Sequence, residues 1–430
     1  MINNVLIIGG GASGMVAAIS AARSGANVTL IEQQSVLGKK ILATGNGRCN
    51  FSNMELSAEH YYCEDHVFLN SILSDYPTQA ILNFFESIGI SSKSRNGYLY
   101  PFTEQATSIR DALVSELDYL GVTIHLNTVA LEITHKNESV SNHGEKDWDY
   151  KVTVMKFEEE SSKQFTLYSD VLILSTGGKS GLTKQNQTDG FSLIKHLNHH
   201  ITSLSPALVP LIGQGKFFKN LAGIRAEASV TAYINDTAVR TESGELQLTD
   251  YGLSGIPIFQ ISRILTHEMK KNKKHDASSY SVSIDFMPSY TPEEFLNILL
   301  DRRVLLVNRS MKQYLNTVFK DKLASFLLDV AHIDEKKLTN NVTEQEIEKL
   351  VRISKTFSVT IKDCKDFKQS QVTAGGIPIQ EITYELQSKF HSKLYFTGEL
   401  LDIDGICGGY NLHFAWASGL LAGTQAAKIK

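Results

Sequence analysis

Residues 5–8 are an unbroken apolar run, Val-Leu-Ile-Ile, that ends in Gly9-Gly10-Gly11. An Ala-rich segment with helical recurrence follows as far as Gly25, and residues 27–31, Asn-Val-Thr-Leu-Ile, read as a second strand run that ends at Glu32. A short continuous run, a glycine turn, a helix and a second run predict a β-α-β unit. Residues 106–120 repeat apolar side chains at Ile109, Ala112, Leu113, Leu117 and Leu120 and stop at Gly121, which predicts an amphipathic helix. Residues 122–175 alternate. They predict a meander with a polar turn near 157–163, finishing in a buried strand at 171–174 that Thr176, Gly177 and Gly178 terminate. From about residue 200 the texture changes: 207–212, 228–234 and 282–286 read as strands, and 256–274 and 292–352 as largely helical. Near the C-terminus a short strand at 394–397 is closed by Gly398-Glu399, followed by a glycine loop at 405–409 and an apolar helix over 412–427.

This order predicts an α/β protein with a Rossmann-like domain built from both chain ends, an inserted β-rich domain and a small helical domain. The boundaries expected are 1–195 plus 371–430, 196–260 plus 341–370, and 261–340.

The first loop fits G-x-G-x-x-G through Gly9, Gly11 and Gly14. Gly9 permits the tight turn, Gly11 lets a pyrophosphate approach the backbone, and Gly14 lets helix and strand pack closely, while the exposed amides and positive helix end attract phosphate. Glu32 stands where an acid can accept hydrogen bonds from an adenosine ribose. Gln33 follows with no arginine nearby, which disfavours a 2′-phosphate, so FAD or NAD is expected over NADP at this site. A Rossmann unit at one end and a strand-Gly-acid-loop-helix element at the other favour FAD, because both ends then build one site. Gly408, Gly409, Tyr410 and Asn411 would supply a glycine turn and a helix start aimed at the pyrimidine edge of the isoalloxazine, where negative charge collects on reduction.

Composition narrows the classes. Lys and Arg number 42 against 46 Asp and Glu, a net charge of -4, which gives no polyanion-binding signal. Cys49, Cys63, Cys364 and Cys407 lie far apart without C-x-x-C, so neither a zinc ribbon nor a disulfide framework is indicated and a reducing, intracellular setting is expected. Met-Ile-Asn-Asn lacks a basic n-region and no apolar run reaches spanning length, so the reading is a soluble cytoplasmic protein with no membrane, nucleic-acid or metal partner. The basic run 270–274 reads as a solvated helix end, the acidic run 158–160 as an exposed turn, and His199-His200 as surface or capping residues.

Residues 38–40 (Gly-Lys-Lys), 44–50 (Thr-Gly-Asn-Gly-Arg-Cys-Asn), 373–376 (Thr-Ala-Gly-Gly), 398–405 (Gly-Glu-Leu-Leu-Asp-Ile-Asp-Gly) and 408–411 (Gly-Gly-Tyr-Asn) resemble the three-domain bacterial NAD(P)/FAD-dependent oxidoreductases. That family is similar to bile-acid-reducing BaiN-type proteins and to aminoacetone oxidase. Segments 204–211 and 244–257 extend the resemblance over nearly the whole chain. It implies that Glu32 meets the adenosine ribose, that Lys40 and the Arg48 loop lie along FAD, that Val129 sits by the adenine, and that Glu399, or else Asp402, holds the ribityl or phosphate region. Residues 184–190 depart from the family pattern, lacking the glycine that relatives carry before Asp-Gly.

The cofactor contacts expected are therefore Gly9, Gly11, Ala12, Ser13, Gly14, Glu32, Gln33, Lys40, Gly47, Arg48, Cys49, Val129, Thr176, Gly177, Gly178, Gly398, Glu399, Gly409, Tyr410, Asn411 and Leu412. No acid-base group is forced by the pattern. Tyr251 and Tyr410 are the candidate proton donors, each also readable as a packing aromatic, and Cys49 and Cys407 read as small loop residues rather than a redox pair. Arg48 either holds an anion or braces its loop. A second complete G-x-G-x-x-G unit is absent, so NAD(P)H as a transient reductant would share a face with the second substrate in a ping-pong cycle. The function expected is an FAD-dependent oxidoreductase acting on a small or medium organic molecule between the flavin and the middle domain. A peroxide-producing oxidase and a redox-silent FAD scaffold for a protein or RNA are the alternatives.

Overall fold

The first apolar run forms strand β1 (Asn4–Ile8), the Ala-rich segment helix α1 (Ala12–Arg23) and the second run strand β2 (Asn27–Ile31). The computed structural model describes residues 2–136, 148–159, 161–181, 190–272 and 279–428. It divides into two units, Met1–Leu204 with Val372–Lys430, and Ser205–Gln371.

In the first unit β1 is the centre of a parallel five-stranded sheet, in the order Leu394–Phe396, Val171–Leu174, β1, β2, Thr123–His125. Strands covered on both faces need no polar alternation, and Val5 to Ile8 and Val171 to Leu174 are all buried. The C-terminal helix Tyr410–Lys428 packs on α1. Small residues set how close they come: a methyl at Gly419 would lie 2.5 Å from Ser13 O and one at Gly423 2.3 Å from Ala17 O. The expected meander is narrower than the alternation implied. Only Thr128–His135, Tyr150–Phe157 and Ser162–Ser169 form the antiparallel sheet, whereas Thr123–His125 and Val171–Leu174 join the parallel one.

Of the tandem histidines, His200 is exposed as expected, whereas His199 differs from its expected surface role. His199 is 4 % exposed, its Nδ1 lies 2.7 Å from Glu381 Oε2, and its Nε2 lies 2.8 Å from Ser388 Oγ. His200 has its amide and Nδ1 on the same carboxylate. Glu381, distant in sequence, thus ties the buried His199 to the exposed His200.

His413 is fully buried in the C-terminal helix, with Nδ1 2.8 Å from Ser52 Oγ and Nε2 3.0 Å from Tyr76 O. Burial pushes its pKa down to about 4 from 6.5, the Tyr76 carbonyl opposing weakly. The neutral ring is the folded form, so its contribution is present above the unfolded pKa and is lost as pH falls from 6.5 toward 4. Stability should drop by about 3 kcal/mol across that window from this group. His413→Gln should flatten that part of a Tm-against-pH curve.

The second unit is a closed barrel in which Leu211–Gly213, Gly252–Gly255, Thr237–Leu248, Arg225–Ile234, Tyr280–Asp285 and Phe357–Cys364 pair in turn, the last returning to the first. Helix Ile256–Lys271 packs on it. Helices Pro292–Leu305, Met311–Leu315 and Glu344–Lys355 each begin with a capping box, from Thr291, Ser310 and Thr343, and Asp321–Ala331 completes the helical set. Two element positions differ from the expected boundaries: Tyr280–Asp285 is a barrel strand inside 261–340, and Glu344–Lys355 is a helix inside 341–370. Most of residues 184–190, the last two of the basic run 270–274 and the last of the acidic run 158–160 fall outside the described residues.

Candidate dinucleotide and flavin site

The glycine loop is fitted atom by atom. Gly9 has φ +109, a methyl there would lie 2.4 Å from Ser175 O, and its amide donates to Ile31 O at 2.8 Å. A methyl at Gly14 would lie 1.8 Å from Gly9 O. Gly11 differs, since nothing lies within 4 Å of where its methyl would be. That is the open side of the loop, facing room for a phosphate group. No side chain caps α1 at Gly11 and its first turn holds no acid, so the amides of Ala12 and Ser13 share an uncompensated positive helix end. Ser13 is buried against Gly398, whose φ is +62 and whose amide donates to Ser418 Oγ at 3.0 Å.

Glu32 is 8 % exposed, and both of its oxygens already accept backbone amides at 2.7 Å, Oε2 from Gly10 and Oε1 from Gln34. Burial raises the carboxyl pKa, and the amides of Gln34 and Gly10 pull against it. The acid thus ties the glycine loop to the end of β2. Its carbonyl accepts the amide of Thr128 at 2.8 Å, which brings the buried Val129 to the same end of the sheet. Gln33 Oε1 is buried without a partner among the described residues.

Lys40 Nζ lies 2.6 Å from Glu399 Oε2. The other oxygen accepts the Thr373 amide at 3.3 Å, and a methyl on Gly177, φ +71, would lie 3.9 Å from Oε2. Glu399 therefore joins the residues 176–178 strand end to the Lys40 loop, while the Asp402 amide donates to Ile377 O. Gly178 leaves no room for a side chain beside Thr373, and Thr176 Oγ1 is buried without a partner among the described residues. Thr373 thus gives its amide to Glu399, and its hydroxyl holds the turn after Gly178 by accepting the amides of Lys179 at 2.8 Å and Ser180 at 3.0 Å.

The loop after Lys40 is held by left-handed residues, Gly45 at φ +55, Asn46 at +54, Gly47 at +81 and Cys49 at +56. The Arg48 guanidinium lies 5.8 Å from the Tyr100 ring centre, a bracing contact. Burial pushes the Cys49 thiol up to about 12, which keeps it from being a thiolate at neutral pH. Gly408 and Gly409 have φ of +135 and +93. Asn411 clamps the neighbouring turn, its Oδ1 accepting from Gly405 N at 2.8 Å and its Nδ2 donating to Gly405 O at 2.7 Å. Leu412 packs on the core.

Tyr410 is 4 % exposed; its hydroxyl donates to Glu55 O at 3.1 Å, and burial pushes it up to about 12. Tyr410→Phe should cost about 1 kcal/mol of stability and change turnover less than tenfold, as stopped-flow measurement of the flavin half-reactions would show. In the second unit, Lys365 Nζ lies 3.7 Å from the centre of the Tyr251 ring.

The residues fit a dinucleotide: glycines that admit no methyl, one glycine facing open space, a buried acid joining loop to strand, and buried acceptors of Gln33 and Thr176 left unpaired. Fold and site define the class, a Rossmann-domain oxidoreductase of the FAD-binding kind.

The chain belongs to the HI0933-like protein Rossmann domain family, whose model matches residues 3–425. It is 36% identical over 99% of both chains to the 3-dehydro-bile acid delta(4,6)-reductase of Clostridium scindens. It is 28% identical over 96% of both chains to the ribosomal RNA dihydrouridine synthase of Haemophilus influenzae. The 3-ketosteroid delta1-dehydrogenase of Sterolibacterium denitrificans shares the fold, at 13% identity over 99% of both chains with a TM-score of 0.53. Among the described residues no helix is long and apolar enough to cross a membrane, and no group of three or more His, Cys, Asp or Glu could hold a metal ion.

Proposed function

We propose that the protein is an FAD-dependent reductase that uses NAD(P)H to saturate a carbon–carbon double bond conjugated to a carbonyl in a small or medium organic substrate. The observation that carries this reading is the 36% identity, along 99% of both chains, to a reductase whose name places such a bond beside a ketone. The dihydrouridine synthase relative supports the bond type, since dihydrouridine is uridine with one ring double bond saturated. Bound FAD would supply hydride transfer. The chain's residues hold and orient it: the α1 amides and Gly11 receive phosphate, Glu32 the ribose, and Lys40 with Glu399 the stretch between them. One G-x-G-x-x-G unit means that donor and acceptor visit the same flavin face in turn.

RNA as substrate is the second reading, favoured by the dihydrouridine synthase at 28% identity. The higher identity to the bile-acid enzyme and the net charge of -4 support the small molecule. The deciding experiment is an anaerobic visible spectrum. Flavin bands that bleach with NADH or NADPH and return on adding a conjugated steroid ketone, with parallel double-reciprocal lines, meet the proposal. Return only with a uridine-containing rRNA fragment moves it to RNA, and return only with O₂, giving peroxide, makes the protein an oxidase. Bands that no reductant bleaches make it a scaffold.

A further inference from the structure

We propose that Asn50 binds the isoalloxazine directly, its Oδ1 accepting the hydrogen bond of the ring's imide N3–H. The inference rests on the reading of FAD as cofactor. Asn50 Oδ1 is buried and has no hydrogen-bond partner among the described residues, a state that a protein rarely leaves uncompensated. The oxygen faces the glycine turn: a methyl on Gly409 would lie 2.8 Å from it and 2.5 Å from Ser52 O. Its position is fixed from behind, because the Cys49 amide donates to Thr44 O at 3.0 Å and a methyl on Gly45 would lie 2.8 Å from Asn50 N, so only glycine fits there.

The same turn opens the C-terminal helix Tyr410–Lys428, whose first turn contains no acid. Helix-start amides are donors, and Asn50 Oδ1 beside them is an acceptor. The pyrimidine edge of an isoalloxazine reads carbonyl, N–H, carbonyl, the complement of an acceptor set among donors. An adenine or a ribose does not present that order. Asn50 therefore contributes recognition of the ring, separate from the adenosine half held by Glu32.

The test titrates flavin-free full-length protein with FAD, 3-methyl-FAD and ADP. Methylation removes the imide proton, and ADP carries no ring. Wild type should bind 3-methyl-FAD about tenfold more weakly than FAD. Asn50→Leu should weaken FAD about tenfold, leave ADP unchanged and lose the discrimination against methylation. Equal weakening of FAD and ADP, or the same methylation penalty in both proteins, overturns the proposal. Should Asn50→Leu not fold, Asn50→Ser takes its place, and absence of a methylation penalty in wild type is decisive against Asn50 by itself. Wild type that binds ADP but shows no preference for FAD overturns the cofactor reading, and Asn50's role with it.

Discussion

Gly14→Val should give a protein that purifies without visible flavin absorbance and melts well below wild type. A single methyl at this position would sit 1.8 Å from Gly9 O, far inside any normal contact distance, and neither the methyl nor the carbonyl can rotate away. Either α1 withdraws from β1 or the loop opens, and both move the amides that receive phosphate. Forced overpacking of this kind costs ~3 kcal/mol or more. Flavin-to-protein absorbance ratio and a melting curve measure the two effects. A variant that retains flavin at wild-type stoichiometry would refute the assignment of this loop to the pyrophosphate.

Glu32→Ala should lower the stability of the protein by ~2 kcal/mol or more, because two buried amides lose their acceptor at ~1–3 kcal/mol each, and should weaken FAD binding by about tenfold if the carboxylate also accepts from the ribose. The Gly10 and Gln34 amides would keep their places inside the protein with nothing to donate to. Glu32→Gln keeps one acceptor oxygen but turns an NH₂ group toward an amide donor, so it should recover only part of the loss. FMN, which lacks adenosine, separates the contributions: a ribose role predicts that FAD binding falls further than FMN binding, whereas equal losses would reduce Glu32 to a loop brace.

The parts legible in the sequence were those whose cause is local. The run at β1, its glycines and the acid closing β2 lie within one short stretch, and each residue type is there for a backbone or hydrogen-bonding reason. The C-terminal helix was legible because its apolar character is continuous. The barrel was not. Thr237–Leu248 is buried only near its C-terminal end, so its pattern lacks the apolar alternation of a core strand, although Asn235 and Asp236, both left-handed, are a two-residue hairpin signal. Its closure joins Leu211–Gly213 to Phe357–Cys364, a pairing set by packing across the barrel. His199 fails to read for the same reason, its carboxylate partner being far along the chain. Asn50 lies inside a motif quoted from the sequence, yet what singles it out is an oxygen buried without a partner among the described residues, which no residue pattern could show.

The sheet order also sets a timetable for biosynthesis. β1, β2 and Val171–Leu174 leave the ribosome long before Leu394–Phe396, the strand that completes the sheet beside Val171–Leu174. Until then Val171–Leu174 is a fully apolar edge with unpaired backbone groups, the kind of surface on which nascent chains aggregate. The helix that seals α1 comes later still. Chaperone occupancy on translating ribosomes should therefore persist through the whole of the second unit's synthesis and end only when the last residues emerge, and a nascent chain stopped short of them should not retain flavin.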